Sequence, residues 1–338
     1  MKTRLLNIND LTRLSKRCRE AEENFIAPVR VGAKVMFRPV QDNDQVVLDE
    51  LFTANSIKEF FFPRCEKILS YRKGTETKIE DSNPVFPEAV IFACRPCDAA
   101  APPVLDKVFQ WDCNDAFFLE RRQKTVVIAA ACLKPDKVCF CTSMGLSNIS
   151  EKGSDIMMFQ EGEKLYLKPI TEKGENWLDK RQITEETEIP AELTQSYEKA
   201  APEKKFPLEK IKPWLDKNFE NADFFKKISA RCIGCGVCTH VCPVCHCFDI
   251  VDEGGFSSGC RLKNWDSCSF GLFTKHTSGH NPRTMQFERW RQRMSHKFRY
   301  YKERFDEYLC TGCGRCVREC SVNMGVLETL MEIGRMED

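Results

Sequence analysis

The chain has 338 residues, 51 Lys and Arg against 50 Asp and Glu, a formal charge of +1 and 42% apolar side chains. That length supplies one large or two ordinary domains with a buried core, and the near-neutral balance offers no global attraction to nucleic acid or anionic lipid. The anomaly is cysteine: of 20, twelve fall between Cys232 and Cys320 and six between Cys94 and Cys141. The amino terminus, MKTRLLNINDLTRLSKRCRE, lacks the apolar core of a secretory signal, and runs such as VVIAAAC fall far short of the roughly 20 residues that span a bilayer. The expected location is therefore the cytoplasm. Disulfides are rare there, and dense cysteine points to metal ligands.

In chain order, LNINDLTRLSKRCREAEE predicts an opening amphipathic helix with Asp10 as its cap. The apolar runs at 89–94 and 125–132 predict buried strands, each ending in a cysteine-bearing loop, RPCD and LKPDKVCFCTSMG. In α/β domains that end of the sheet is where ligands are held. Residues 155–170 predict a hairpin around Glu161-Gly162, and the Glu- and Pro-rich stretch 171–207 reads as a polar linker. A helical region then leads into Cys232. The expected class is α+β: an α/β domain over 1–170, the linker, and a second domain over 208–338 that opens with a helix.

Cys232, Cys235, Cys238 and Cys242 follow C-x2-C-x2-C-x3-C with Pro243 next, and Cys310, Cys313, Cys316 and Cys320 repeat the spacing 78 residues later. This is the spacing of [4Fe–4S] ligands, in which the fourth cysteine serves the other cluster of a two-cluster unit. Cys232, Cys235, Cys238 and Cys320 are thus expected to hold one cluster, and Cys242, Cys310, Cys313 and Cys316 its neighbour. Gly234, Gly236, Gly312 and Gly314 admit the backbone angles that bring amides to the sulfides. Ser321 stands where proline is usual. A zinc ribbon is the competing reading, but zinc pairs two cysteines with two distant ligands and does not call for this run twice.

CIGCGVCTHVCPVCHCFDIVDE, RLKNWDSCSFGLFTKHTSGHNPR, RWRQRMSHKFRYYKERF and CTGCGRCVREC, with RPCDAA, CFCTSMG and ITEKG earlier, resemble the family of cytoplasmic sulfhydrogenase beta subunits and anaerobic sulfite reductase A subunits from about residue 85 onward. The resemblance implies a helical dicluster ferredoxin-type domain over 208–338 and an electron-transfer subunit, itself no catalyst, that relays electrons between a flavin-bearing NAD(P)H-oxidising partner and a catalytic redox module. That module would be of hydrogenase, sulfite reductase or heterodisulfide-reductase type. Because matching segments recur in this family and sit at strand ends, Cys97, Cys132, Cys139 and Cys141 are expected to hold a third cluster. Asp98 and Cys94 stand as substitute ligands. Against this, Cys94 and Cys132 read equally as small core residues, and Asp98 as a helix cap.

Cys245, Cys247, Cys260 and Cys268 could bind another metal centre, but they show no regular spacing and read rather as neighbours of the first cluster. The five histidines, all between His240 and His296, read as packing or hydrogen-bonding groups. No Walker loop or G-x-G-x-x-G fingerprint occurs. Residues 282–304 carry eight Lys or Arg against two Glu, with aromatics interleaved. Alone this suggests nucleic-acid binding; between two anionic clusters it reads as local electrostatics and a docking surface for an acidic partner. Three functions thus compete: the relay, a redox enzyme with its own substrate at the amino-terminal site, and, most weakly carried, a nucleic-acid-binding metalloprotein.

Overall fold

The computed structural model describes residues 1–49 and 52–336. Its strands are β1 (Arg4–Asn7), β2 (Asn24–Val31), β3 (Lys34–Pro39), β4 (Cys65–Arg72), β5 (Lys78–Asp81), β6 (Ala89–Cys94), β7 (Thr125–Ala130), β8 (Ile156–Glu161), β9 (Lys164–Pro169), β10 (Phe248–Gly254) and β11 (Ser258–Trp265). Among the described residues they form a seven-stranded sheet, β1-β9-β8-β7-β6-β2-β3, and a four-stranded sheet, β10-β11-β4-β5.

The large sheet is parallel at its centre, where β2, β6, β7 and β8 run together, and antiparallel at its edges. Every residue of β6 and β7 is buried, as expected for parallel strands covered on both faces. Val90, Phe92, Val126 and Ile128 face a core closed by Leu11 and Leu14 of the helix Leu11–Glu20 and by Trp177 and Leu178. Ile91, Val127 and Ala129 face the opposite core. The expected strands at 89–94 and 125–132 and the hairpin at 155–170 are present. The expected opening helix is shorter, because residues 4–7 pair with β9 as an edge strand. Asp10 precedes that helix without a side-chain capping bond and pairs instead with Arg13 at 3.0 Å.

The stretch expected as a linker, 171–207, is instead packed structure. Thr171 caps the helix Glu172–Lys180 by accepting from Gly174 N–H, and a second helix spans Ala191–Lys199. Its few apolar residues are spaced to face inward: Trp177, Leu178 and Ile183 enter one core and Tyr197 the other. The buried Glu23 carboxylate accepts from Trp177 Nε1 at 2.9 Å and from Arg181 Nε at 3.1 Å. Trp177→Phe leaves that oxygen one donor short, and a loss of about 1–3 kcal/mol is expected in urea unfolding.

The two expected domains also share structure. The small sheet pairs β4, from the amino-terminal half, with β11, from the carboxy-terminal half. Cys242, Val244, Cys245, Tyr301 and Leu309 belong to the core beneath the large sheet, and Tyr301 Oη donates to Val104 O at 2.5 Å. A third core gathers Phe140 and Phe206 with helical residues of the carboxy-terminal half, including Phe225, Phe298 and Leu330.

Candidate iron–sulfur centres

The two cysteine motifs fold alike. Gly234 and Gly312 lie at φ +70° and +68°, Gly236 and Gly314 at +75° and +74°. Each second glycine starts a short helix, Val237–His240 or Arg315–Arg318, and the two helices pack against each other. The sequence repeat is therefore a backbone repeat, with loops whose amides can turn toward an anionic group. Burial first, and then the neighbouring motif cysteines, Cys313 at Cys310 and both Cys313 and Cys310 at Cys316, push the thiols of Cys310 and Cys316 up. Gln286 Nε2 donates to Cys232 Sγ at 3.1 Å, and Cys235 is exposed.

The basic segment at 282–304 is a continuous helix: α-helical over Gln286–Ser295, widened to π geometry over His296–Tyr300, and α-helical again over Tyr301–Phe305. Such widened turns cluster at functional sites. Arg293 and Lys297, one turn apart, are both buried. Arg293 Nη1 donates to Cys245 Sγ at 3.4 Å, and Lys297 Nζ to Cys242 Sγ at 3.3 Å. Burial would lower the Lys297 pKa, but Cys242 and Cys245 outweigh it and hold the ammonium above its ordinary value. Outside this face, Arg291 pairs with Glu220, Arg299 with Asp216, and Arg304 stacks 3.6 Å over Trp111. These contacts favour the local-electrostatic reading of the segment over nucleic-acid binding.

The loops after β6 and β7 meet as expected of neighbouring parallel strands. Between Ile91 and Cys94 the β6–β7 register shifts, and Ala93 sits at φ +59°. That conformation costs a non-glycine residue about 1–2 kcal/mol and re-aims the following loop. Cys97, Cys132, Cys139 and Cys141 line one pocket, with Arg95, Asp98, Asn148 and Arg315. Cys313 of the second motif lines it too, an arrangement the sequence reading missed. Burial pushes the thiols of Cys97, Cys132, Cys139 and Cys141 up, Cys139 to about 12 and Cys141 to about 11. At neutral pH they keep their protons until a cation displaces them.

Cys94 is fully buried in the core, where the packing reading placed it, whereas Cys132 opens onto the pocket. Asp98 is neither cap nor spare ligand. Its two carboxylate oxygens accept from Arg315 Nη1 and Nη2 at 2.6 and 2.7 Å, with both side chains buried. Arg315 also donates to Thr53 O and Thr53 Oγ1 at 3.0 and 2.6 Å. The pair clamps the Cys97 loop to the helix between Cys313 and Cys316.

A second clamp lies alongside. Asp136 accepts from Val138 and Cys139 N–H and pairs with Arg318 at 2.7 Å. Phe140 N–H donates to Gly312 O at 2.9 Å, and a Cβ on Gly312 would lie 2.5 Å from the Phe140 carbonyl and Cys141 N. Gly312→Ala is therefore expected to part these loops, at about 1–3 kcal/mol, and a faster loss of iron on mild chelation checks it.

Among the described residues no three His, Cys, Asp or Glu side chains converge closely enough to hold a single ion. No helix among the described residues is long and apolar enough to cross a membrane.

Residues 231–324 match the family model of a 4Fe-4S dicluster domain. Over 315 residues the chain is 27% identical to the sulfhydrogenase 2 subunit beta of Pyrococcus furiosus, covering 90% of this chain and 91% of that protein. The likeness extends beyond the region, from about residue 85 onward, in which the motifs carry it. No solved structure matches the chain.

Proposed function

We propose that this chain is an iron–sulfur electron-transfer subunit, relaying electrons between a flavin-containing NAD(P)H-oxidising subunit and a catalytic redox subunit of hydrogenase, sulfite reductase or heterodisulfide-reductase type. Its similarity to a protein named as a sulfhydrogenase beta subunit and the dicluster match support the reading. One [4Fe–4S] cluster is assigned to Cys232, Cys235, Cys238 and Cys320, and a second to Cys242, Cys310, Cys313 and Cys316. A third is assigned to Cys97, Cys132, Cys139 and Cys141. When bound, such clusters supply one-electron carriers; the protein supplies thiolates, position and charge.

The observation that carries the relay is the Phe140–Gly312 backbone contact at 2.9 Å. It joins the loop that carries Cys139 and Cys141 to the loop that carries Cys310 and Cys313, which supports a relay with the third centre beside the second. The isolated chain, loaded anaerobically, is expected to bleach with dithionite and to stay oxidised with NADH, followed by visible absorbance. Reduction by NADH without a partner would overturn the assignment.

A second reading, a redox enzyme with its own substrate, is favoured by one feature. Asn148 lines the amino-terminal pocket, and its buried Oδ1 has no hydrogen-bond partner among the described residues. Turnover of a soluble substrate by the isolated chain, abolished in C97S/C132S, would establish it.

A further inference from the structure

Cys245, Cys247 and Cys268 have no place in the three assigned clusters, yet the fold gathers them. Cys245 and Cys247 follow Cys242 on one loop, and Cys268 arrives from the turn after β11. Cys247 and Cys268 are in side-chain contact, as are Cys245 and Cys242. Cys238 lies beside both Cys245 and Cys268.

Three buried cations surround this nest. Lys58 is 3% exposed, Arg293 2% and Lys297 2%. Lys58 comes from the far amino-terminal half, where its Nζ donates to Cys245 O at 3.0 Å and to Thr239 O at 3.4 Å and lies 3.7 Å over the Trp265 ring. Arg293 Nη2 donates to Cys238 O at 2.7 Å, and its Nε has no hydrogen-bond partner among the described residues. Among the described residues the three cations donate to thiols and carbonyls rather than to carboxylates. Buried cations require a compensating negative group. The two ferredoxin-motif clusters answer for Lys297 through Cys242 and for Arg293 through Cys238. Lys58 faces Cys245, Cys242 and Cys247, and two of those three belong to neither cluster.

We propose that Cys245, Cys247 and Cys268 ligate an additional iron–sulfur cluster, with Lys58 as its counter-charge and Arg293 shared between it and the first ferredoxin-motif cluster. Three thiolates hold three corners of a cubane. The fourth falls to His246, whose Nδ1 lies 3.2 Å from Val244 O; with the proton on Nδ1, Nε2 is left as a donor to metal. The centre lies where Lys58 of the amino-terminal half meets the first ferredoxin motif. It rests on the iron–sulfur reading above.

The test counts iron and sulfide, with Mössbauer spectra, in the full chain loaded anaerobically. In C97S/C132S, which removes the amino-terminal site and leaves the nest intact, about 12 iron per chain is expected, whereas about 8 overturns the additional cluster. In C247S/C268S about four iron should be lost while the signals removed by C310S/C316S persist, and unchanged iron in that variant likewise overturns it. Failure of the iron–sulfur reading itself has a different signature, a colourless wild-type chain.

Discussion

Arg315→Met is expected to cost about 3–5 kcal/mol of stability, the largest effect of any single substitution outside the cysteines. The reason is what remains: Asp98, 0% exposed, would keep a buried carboxylate with both oxygens stripped of their donors. Arg315→Lys keeps the charge but not the two-pronged geometry, and an intermediate loss of about 1–3 kcal/mol is expected. Asp98→Leu with Arg315→Met removes both charges and should recover much of the single-variant loss, since a buried pair contributes little net stability over a well-packed apolar replacement. Urea unfolding of the iron-loaded chain measures all three. A wild-type midpoint for Arg315→Met would mean that the pair does not hold the two cysteine loops together.

Cys320→Ser and Cys242→Ser are expected to do crossed damage. If the fourth cysteines exchange between motifs, Cys320→Ser empties the cluster of Cys232, Cys235 and Cys238, and Cys242→Ser that of Cys310, Cys313 and Cys316. Each single variant then loses about four iron per chain. The doubles separate the wiring schemes: Cys232→Ser with Cys320→Ser should lose about four in total, because both ligands serve one cluster, whereas Cys232→Ser with Cys242→Ser should lose about eight. The opposite pattern would assign each motif its own complete cluster. Electron flow through the chain should stop in every one of these variants, since a series relay fails at any missing member.

Strong local signals carried to the structure. β6 and β7 are continuous apolar runs bounded by Arg95-Pro96 and Lys134-Pro135, and strands buried on both faces must look that way. The two motifs repeat at the same glycines in sequence and in φ. What stayed hidden is what depends on distance along the chain. β5 is exposed throughout and β10 nearly so, and β11 finds β4 across about 190 residues with no local pattern to announce it. Glu-rich 171–207 reads as solvent-facing by composition because its sparse inward residues are outnumbered, although Trp177, Leu178, Ile183 and Tyr197 close cores.

The site shows the same division. Cysteine spacing names ligands, but nothing about Lys58 or Thr53 in sequence says that they reach partners more than 180 residues away. Arg293 and Lys297 sit one turn apart in a visibly basic segment, and that spacing is the signal by which they could have been singled out. Cys313 facing the amino-terminal pocket had no such signal, because it depends on how the loops dock.

The small sheet, joined from residues 65–81 and 248–265, bears on how the molecule is made. A ribosome finishes the large sheet's strands well before β11 exists, so β4 and β5 must wait as an unpaired ribbon while more than 160 further residues are translated. Only when β11 emerges can the ribbon close, and the last cysteine triplet follows later still. With the fourth cysteines exchanged, neither ferredoxin-motif cluster has its full ligand set until Cys316 and Cys320 have been made.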